Sequence, residues 1–321
     1  MLDNDPEKKK LMRDVVIDQI YNAATTDRNI VFISADFGAQ SLDKFRNELP
    51  DQFIHAGISE QNMVDLSSGL SISGKQVFLY AMAPFITARC YEQIKCSLSA
   101  MNLPVTLIGV GVGLGYDHST LTHFTPEDIA CMRALNGIEI LSPSDQKSAE
   151  VIAANAVTNP AFRYLRLERN AHDQIYNDEF IKCLDTGFYE ISRGDRVAIV
   201  SYGALLHKVI AARDELKKAG LEVGVIDLYR VKRISVQKLF EYLSSYKSLL
   251  TVEEHILDGG FGGAVLEALA DSGLQMKVKR LGLSDGFAVV NGDRDQLHKL
   301  YGVDTGDIIS AVMELEKKLE T

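Results

Sequence analysis

Glu60 lies in the stretch Gly57-Ile58-Ser59-Glu60-Gln61-Asn62, between the apolar run Phe53-Ile54-His55-Ala56 and a segment with helical spacing, Met63, Leu66 and Leu70. That order places a carboxylate in the first turn of a helix just past a strand end. The helix dipole favours a negative charge there, and ligands of α/β sheets bind outside the carboxyl ends of strands. A glutamate at this position is also an ordinary helix start behind Ser59. A second concentration of chemistry is the loop 109–126, which reads Gly-Val-Gly-Val-Gly-Leu-Gly and then brings Tyr116, Asp117, His118, Thr122 and His123. A dinucleotide fingerprint needs a helix opening at the third glycine; Tyr-Asp-His-Ser-Thr follows instead, which excludes it. One aspartate and two histidines at this spacing match no standard zinc pattern, so the loop reads as a polar, substrate-facing site without a metal of its own. Irregular loops of this length inside compact sheets are usually functional. Arg166 and Arg169, in Tyr-Leu-Arg-Leu-Glu-Arg-Asn, end a strand and suit a phosphate or carboxylate, or a surface pairing with Glu168 or Asp173. Phe85 faces either the same crevice or the core. Gly259-Gly260-Phe261-Gly262-Gly263 has the pattern of an anion nest or of close helix–strand packing.

The elements that must carry these residues follow from hydrophobic periodicity. A helix through Leu11, Val15, Val16 and Ile20 precedes a buried strand at 30–34. Strands at 53–56, 76–82, 105–110, 138–141 and 162–167 then alternate with helices from 60, at 87–101, 127–135 and 145–157. Buried strands alternating with amphipathic helices mean a parallel sheet covered on both faces. The pattern lapses into polar residues at 172–185 and resumes with strands at 197–201, 223–228, 249–252 and 278–283, helices at 205–219, 236–242 and 264–271, and a last helix from Ile308. The expected fold class is α/β, with two parallel or mostly parallel three-layer domains in series: residues 1–175, a linker at 176–190, and residues 191–321.

The chain has 321 residues, 46% of them hydrophobic and 24% charged, with a net charge of -10. An acidic chain with interspersed charges excludes binding to nucleic acid or to an anionic membrane through a broad basic face. No run approaches a membrane span, and the charged first ten residues have no signal-peptide character. Cys90, Cys96, Cys131 and Cys183 form no C-x-x-C pair, so reduced cysteines in a cytoplasmic protein are expected.

Taken in order, several stretches resemble the transketolase family of thiamine diphosphate enzymes. They are the Glu60 motif; Ala83-Pro-Phe-Ile-Thr-Ala-Arg-Cys-Tyr-Glu-Gln-Ile94; Gly113-Leu-Gly-Tyr-Asp117 with Thr122-His123; Arg133-Ala-Leu-Asn-Gly-Ile; and Leu141-Ser-Pro-Ser-Asp145. Val225-Ile-Asp-Leu and Thr251-Val-Glu-Glu-His, ahead of the glycine run, continue the series over almost the whole chain. The resemblance implies a pyrimidine-binding domain followed by a C-terminal domain, as in the second subunit of a split transketolase. The Gly-Asp-Gly…Asn signature of the diphosphate- and magnesium-binding domain is absent from this sequence. An N-terminal partner subunit is therefore implied to bind the diphosphate and Mg, in a heterotetramer of two chains each.

The resemblance also implies roles. Glu60 hydrogen-bonds the aminopyrimidine, Phe85 stacks on it, and Asp36 and Met82 lie beside the cofactor. Asp117, His118 and His123 bind donor-sugar hydroxyls, with His123 also able to move protons. Arg169, with Arg89 and Arg166 behind it, holds the phosphate of a sugar phosphate. The implied reaction is transfer of a two-carbon ketol unit between sugar phosphates. Three alternatives stand beside it: the beta subunit of a 2-oxo acid dehydrogenase acting on keto acids, a decarboxylating enzyme resembling deoxyxylulose phosphate synthase, and a non-catalytic scaffold. Glycine in place of the family's histidine near Gly109, the extra His118 and Met82 in place of an aromatic put the substrate in question rather than the cofactor.

Overall fold

The structure is a computed structural model that describes residues 10–35, 38–284, 290 and 292–320. The first half runs α1 (Met12–Ala24), β1 (Ile30–Ala35), α2 (Leu42–Glu48), β2 (Phe53–Gly57), α3 (Glu60–Ile72), β3 (Gln76–Met82), α4 (Ala83–Ile86), α5 (Tyr91–Gln93), β4 (Val105–Val110), α6 (Asp128–Arg133), β5 (Glu139–Leu141), α7 (Gln146–Thr158) and β6 (Arg163–Leu167). The second half runs β7 (Tyr189–Ser192), β8 (Val197–Ser201), α8 (Leu206–Lys218), β9 (Gly224–Asp227), β10 (Arg230–Lys232), α9 (Val236–Leu243), β11 (Ser248–Ile256), α10 (Phe261–Ser272), β12 (Lys277–Leu283), α11 (Arg294–Leu300) and α12 (Thr305–Glu320).

Strand periodicity explains the layering. In β1, Ile30 and Phe32 face α1, α2 and α7, whereas Val31, Ile33 and Ala35 face α3 and the helical turns after β3. Both faces are apolar, so the strands are buried and parallel. The first sheet has seven strands in the order β10-β5-β6-β4-β3-β1-β2, and the second has five in the order β12-β11-β8-β9-β7. Each is parallel except at one edge, where β10 and β7 run antiparallel. The mostly parallel two-sheet α/β architecture is as expected.

Short polar β7, β10 and α11 escape the sequence pattern, because three to seven residues carry too little periodicity. β10 lies in the second half of the sequence yet closes the edge of the first sheet against β5. One apolar cluster also runs from Leu79, Leu107 and Ile140 to Val200, Ile226 and Phe261, so the two sheets share a core. The polar stretch 172–185 is packed as well: Phe180 is buried against the rings of Tyr176 and Tyr229. The expected single helix 87–101 is instead broken. Thr87 departs from helical geometry, its hydroxyl donates to the Ala83 carbonyl, and Ile94–Ser99 widens into a π-helix.

A buried carboxylate pins the connection between the halves. Asp227, at the end of β9, accepts hydrogen bonds from the Ser144 hydroxyl at 2.8 Å and the Tyr176 hydroxyl at 2.5 Å. Asp145 caps α7 reciprocally with Ser148 and accepts from the backbone N–H groups of Ile175 and Tyr176. Burial pushes Asp227 up to about 7 despite its two hydroxyl donors. An unfolded aspartate titrates near pH ~3.9. The native chain therefore keeps a proton that the unfolded chain has lost, and this contribution to stability falls as pH rises through about 7. Asp227→Asn, which keeps an acceptor for both hydroxyls, is expected to flatten the decline in urea midpoint between pH 5 and 8 relative to wild type. Parallel slopes for the two proteins would contradict this.

Candidate functional site

The residues picked out for chemistry meet where β2, β3, β4 and β6 end. β2 stops at Gly57, and Ser59 leads directly into α3, so Glu60 enters the first turn with its side chain 5% exposed. Its carboxylate accepts a hydrogen bond from Arg89 Nη1 at 2.7 Å. Arg89 sits on the turn after α4, with its guanidinium carbon 3.9 Å from the centre of the Phe85 ring. Phe85 is half-buried and meets the His123 ring edge-on at 5.5 Å. His123 in turn meets Tyr116 edge-on at 5.7 Å, and its Nδ1 lies 2.9 Å from the Thr122 hydroxyl. Arg169 covers the Tyr116 ring at 4.9 Å, and its Nη1 is 4.0 Å from Asp117 Oδ1. Glu60, Arg89, Phe85, His123, Tyr116, Arg169 and Asp117 thus form a continuous chain of contacts. Met82 precedes α4 and pairs with Val110 across β3 and β4, which places it beside the start of the loop.

Backbone geometry holds the loop in shape. Gly111 has φ +79°, and a Cβ there would overlap the Tyr116 ring. Gly113 has φ +60°, and its Cβ would approach the Glu254 carboxyl at 2.9 Å. Only glycine combines that conformation with that clearance. The loop closes where Gly113 bridges Thr125, and the Leu114 N–H donates to Glu254 Oε1 at 2.7 Å.

Glu254, at the end of β11, belongs to a buried charge network from the second half of the chain. Arg294 of α11 contacts Glu254 Oε2 at 2.5 Å and also pairs with Glu168, and His298 lies 3.3 Å from Glu254. Burial alone would push the Glu254 carboxyl up, but the Arg294 guanidinium and His298 hold it well below the usual carboxylate range. Glu168 also accepts from the backbone N–H groups of Arg169 and Asn170. One arginine therefore fixes both the loop and the strand end that carries Arg169.

Other expected site residues fall elsewhere. Arg166 is buried and committed to Asp128 through Nε at 2.8 Å and Nη2 at 3.0 Å, with the Tyr164 hydroxyl on the same carboxylate. It holds the core together rather than a substrate anion. Arg89, expected near a phosphate, pairs with Glu60. The His118 side chain is 72% exposed, and it approaches Asp117 at 3.8 Å from the solvent side. The glycine nest at 259–263 is filled by the chain's own Glu253, which accepts from the N–H groups of Phe261 at 2.6 Å and Gly262 at 2.8 Å. Burial pushes Glu253 up to about 7 against those donors. Asp36 lies outside the described residues.

Two further residues join the site: Tyr116, which the loop motif contains without an assigned role, and Arg13. Tyr116 is buried, and burial pushes its phenol up to about 12, so it stays neutral near physiological pH. Arg13, on α1, brings its charge to bear on both Tyr80 and Tyr116. Its position at the start of the chain, far from the loop in sequence, carries no signal.

Comparison with known proteins decides the family. The family model of the transketolase pyrimidine-binding domain matches residues 8–173, and that of the transketolase C-terminal domain matches residues 189–308. The chain belongs to the transketolase family. It is 31% identical to a subunit of the apulose-4-phosphate transketolase of Phocaeicola vulgatus, over 94% of this chain and 96% of that protein. It is 27% identical to a 6-deoxy-6-sulfo-D-fructose transketolase subunit of a Clostridium species, over 98% of each. A solved structure described as a split gene transketolase, inactive beta4 tetramer, superposes with a TM-score of 0.85 at 26% identity, over 95% of this chain and 97% of that one. The family is thiamine diphosphate-dependent, and this transketolase-family chain is a subunit of a ketol-transferring enzyme. No helix among the described residues is long and apolar enough to cross a membrane.

The residues present fit the pyrimidine end of such a cofactor. A flat, nitrogen-rich cation, the Arg89 guanidinium, already sits against both the Glu60 carboxylate and the Phe85 ring. Those are the contacts an aminopyrimidine requires, a carboxyl partner and an aromatic face.

Breaking the Arg294 network is expected to be costly. Arg294→Met leaves Glu168 and Glu254 buried without their cation, so stability in urea denaturation should fall by about 3–5 kcal/mol. A loss under about 1 kcal/mol would show that the network does not anchor the loop.

Proposed function

We propose that this chain provides the pyrimidine and sugar subsites of a split transketolase that moves a two-carbon ketol unit between ketose and aldose substrates carrying a terminal anion. The contact chain from Glu60 to Arg169 carries the reading, because it links a cofactor-type pair to an anion-type pair through direct contacts. When bound, thiamine diphosphate supplies the electron sink for the two-carbon unit. Glu60 holds or shares a proton with the aminopyrimidine ring, and Phe85 offers it an aromatic face. Asp117 and His123 meet sugar hydroxyls, and the imidazole can carry a proton between them. Arg169, reinforced by the charge of Arg13, holds the terminal anion. Phosphate and sulfonate share that requirement, and the names of the two relatives include one of each. The polar Asp117 and His123 favour a polyhydroxylated substrate over a simple keto acid.

The diphosphate and Mg sites are assigned to a partner subunit, in a complex of two chains each. Ile58, Leu66 and Ile72, exposed apolar residues on and beside α3, give that partner a surface that begins beside Glu60 and runs along the helix. The proposed boundaries are residues 1–175 for the pyrimidine domain and 191–321 for the C-terminal domain, joined through 176–190. Four cysteines without disulfides suit a reducing cytoplasm.

Two variants of the complex reconstituted with its partner test this reading. Glu60→Ala should abolish ketol transfer, and a near wild-type rate would refute the role of Glu60. Arg169→Ala removes charged hydrogen bonds worth about 1.5–3 kcal/mol, so KM for a phosphorylated ketose should rise roughly 10- to 100-fold. KM for the unphosphorylated sugar should barely move. An equal change for both sugars would remove Arg169 from the anion site.

A further inference from the structure

Arg89 makes, inside the chain, both contacts assigned to the cofactor's ring. Its Nη1 donates to Glu60 Oε2 at 2.7 Å, and its guanidinium carbon lies 3.9 Å from the centre of the Phe85 ring. A guanidinium is planar, rich in N–H donors and able to stack on an aromatic face. An aminopyrimidine is planar, nitrogen-rich and stacks in the same way. Both groups cannot occupy the space between one carboxylate and one ring face.

The two sides of the pair differ in exposure. Glu60 is 5% exposed and starts a 13-residue helix, whereas the Arg89 side chain is 39% exposed and sits on a short turn between two helix fragments. The arginine can swing out, and the carboxylate cannot. Its departure leaves a buried carboxyl without a partner, a state that rewards arrival of a new hydrogen-bonding ring.

Resting on the function proposed above, we propose that Arg89 is a built-in surrogate for the aminopyrimidine, keeping the subsite closed until the ring displaces it. The chain then holds Glu60 and Phe85 in their working arrangement before any cofactor is present. The cost is a weaker apparent affinity, since only the fraction of molecules with Arg89 withdrawn can bind. A latch closed in about nine molecules of ten raises the apparent Kd about tenfold.

The probe is 4-amino-5-hydroxymethyl-2-methylpyrimidine, the ring without its charged tail, titrated into the full chain and followed by ligand-observed NMR. Arg89→Ala is expected to lower the apparent Kd about tenfold relative to wild type. Arg89→Lys keeps the charge but loses the planar stack and should fall between the two. In a Glu60→Ala background, Arg89→Ala should no longer lower the Kd, whereas an effect of Arg89 that does not pass through Glu60 would persist there. Circular dichroism melting shows whether each variant is folded; if Arg89→Ala is not, Arg89→Lys carries the comparison. An unchanged or higher Kd in the folded variants, or no binding to any of them, overturns the proposal. Ketol transfer by the wild-type complex reports separately on the proposed function: its presence beside a failed latch leaves that reading standing, and its absence removes it.

Discussion

Arg294 holds two buried carboxylates that belong to different halves of the chain. Glu168 follows β6 and orders the backbone of Arg169, and Glu254 ends β11 and holds the backbone of Leu114. A buried cation between two carboxylates is stable only while all three are in place, because each alone would be left charged in a poorly solvated interior. The network therefore behaves as a single joint. It transmits the position of the second sheet to the one irregular loop on which Tyr116, Asp117 and His123 ride. Among the described residues the C-terminal half contributes no side chain to the contact chain from Glu60 to Arg169, yet it sets that chain's geometry.

From that joint the site grades from rigid to adjustable. Tyr116 is locked against a glycine that has no room for a side chain, and His123 is fixed between two rings. Phe85 stands at a helix start behind the buried strand β3, and Glu60 at one behind β2, the half-buried edge strand. Arg89 and Arg169 form the outer layer, where the proposed function has a cofactor or substrate exchange one set of contacts for another. Preorganised polar groups at the centre with movable charges at the rim suit an enzyme that must admit two large substrates in turn.

The positions of the carboxylate after β2 and of the aromatic after β3 were legible in the sequence, because each follows an apolar strand and opens a helical turn. The alternation of strands and helices likewise exposed the two-sheet architecture. What could not be read was any pairing across long sequence separation. Arg166 looks free at a strand end until Asp128 arrives from a helix 38 residues earlier. The glycine nest looks like an anion site until Glu253, one strand away, fills it. Arg13 and Arg294 reach the site's neighbourhood from opposite ends of the chain, and nothing in their local pattern marks them. β10 escapes for a related reason: a single valine between two cations gains a strand identity only from the edge it covers.

The central claim is that the Glu60 carboxyl and the Phe85 ring grip the aminopyrimidine of a cofactor held at its other end by a second subunit. A crystal structure of the complex with thiamine diphosphate and magnesium tests it most directly. The account predicts a ring nitrogen within about 3.2 Å of a Glu60 oxygen and the ring stacked on Phe85, with the diphosphate on the partner. A cofactor ring lying away from Glu60, with that carboxylate still paired to Arg89, would contradict it.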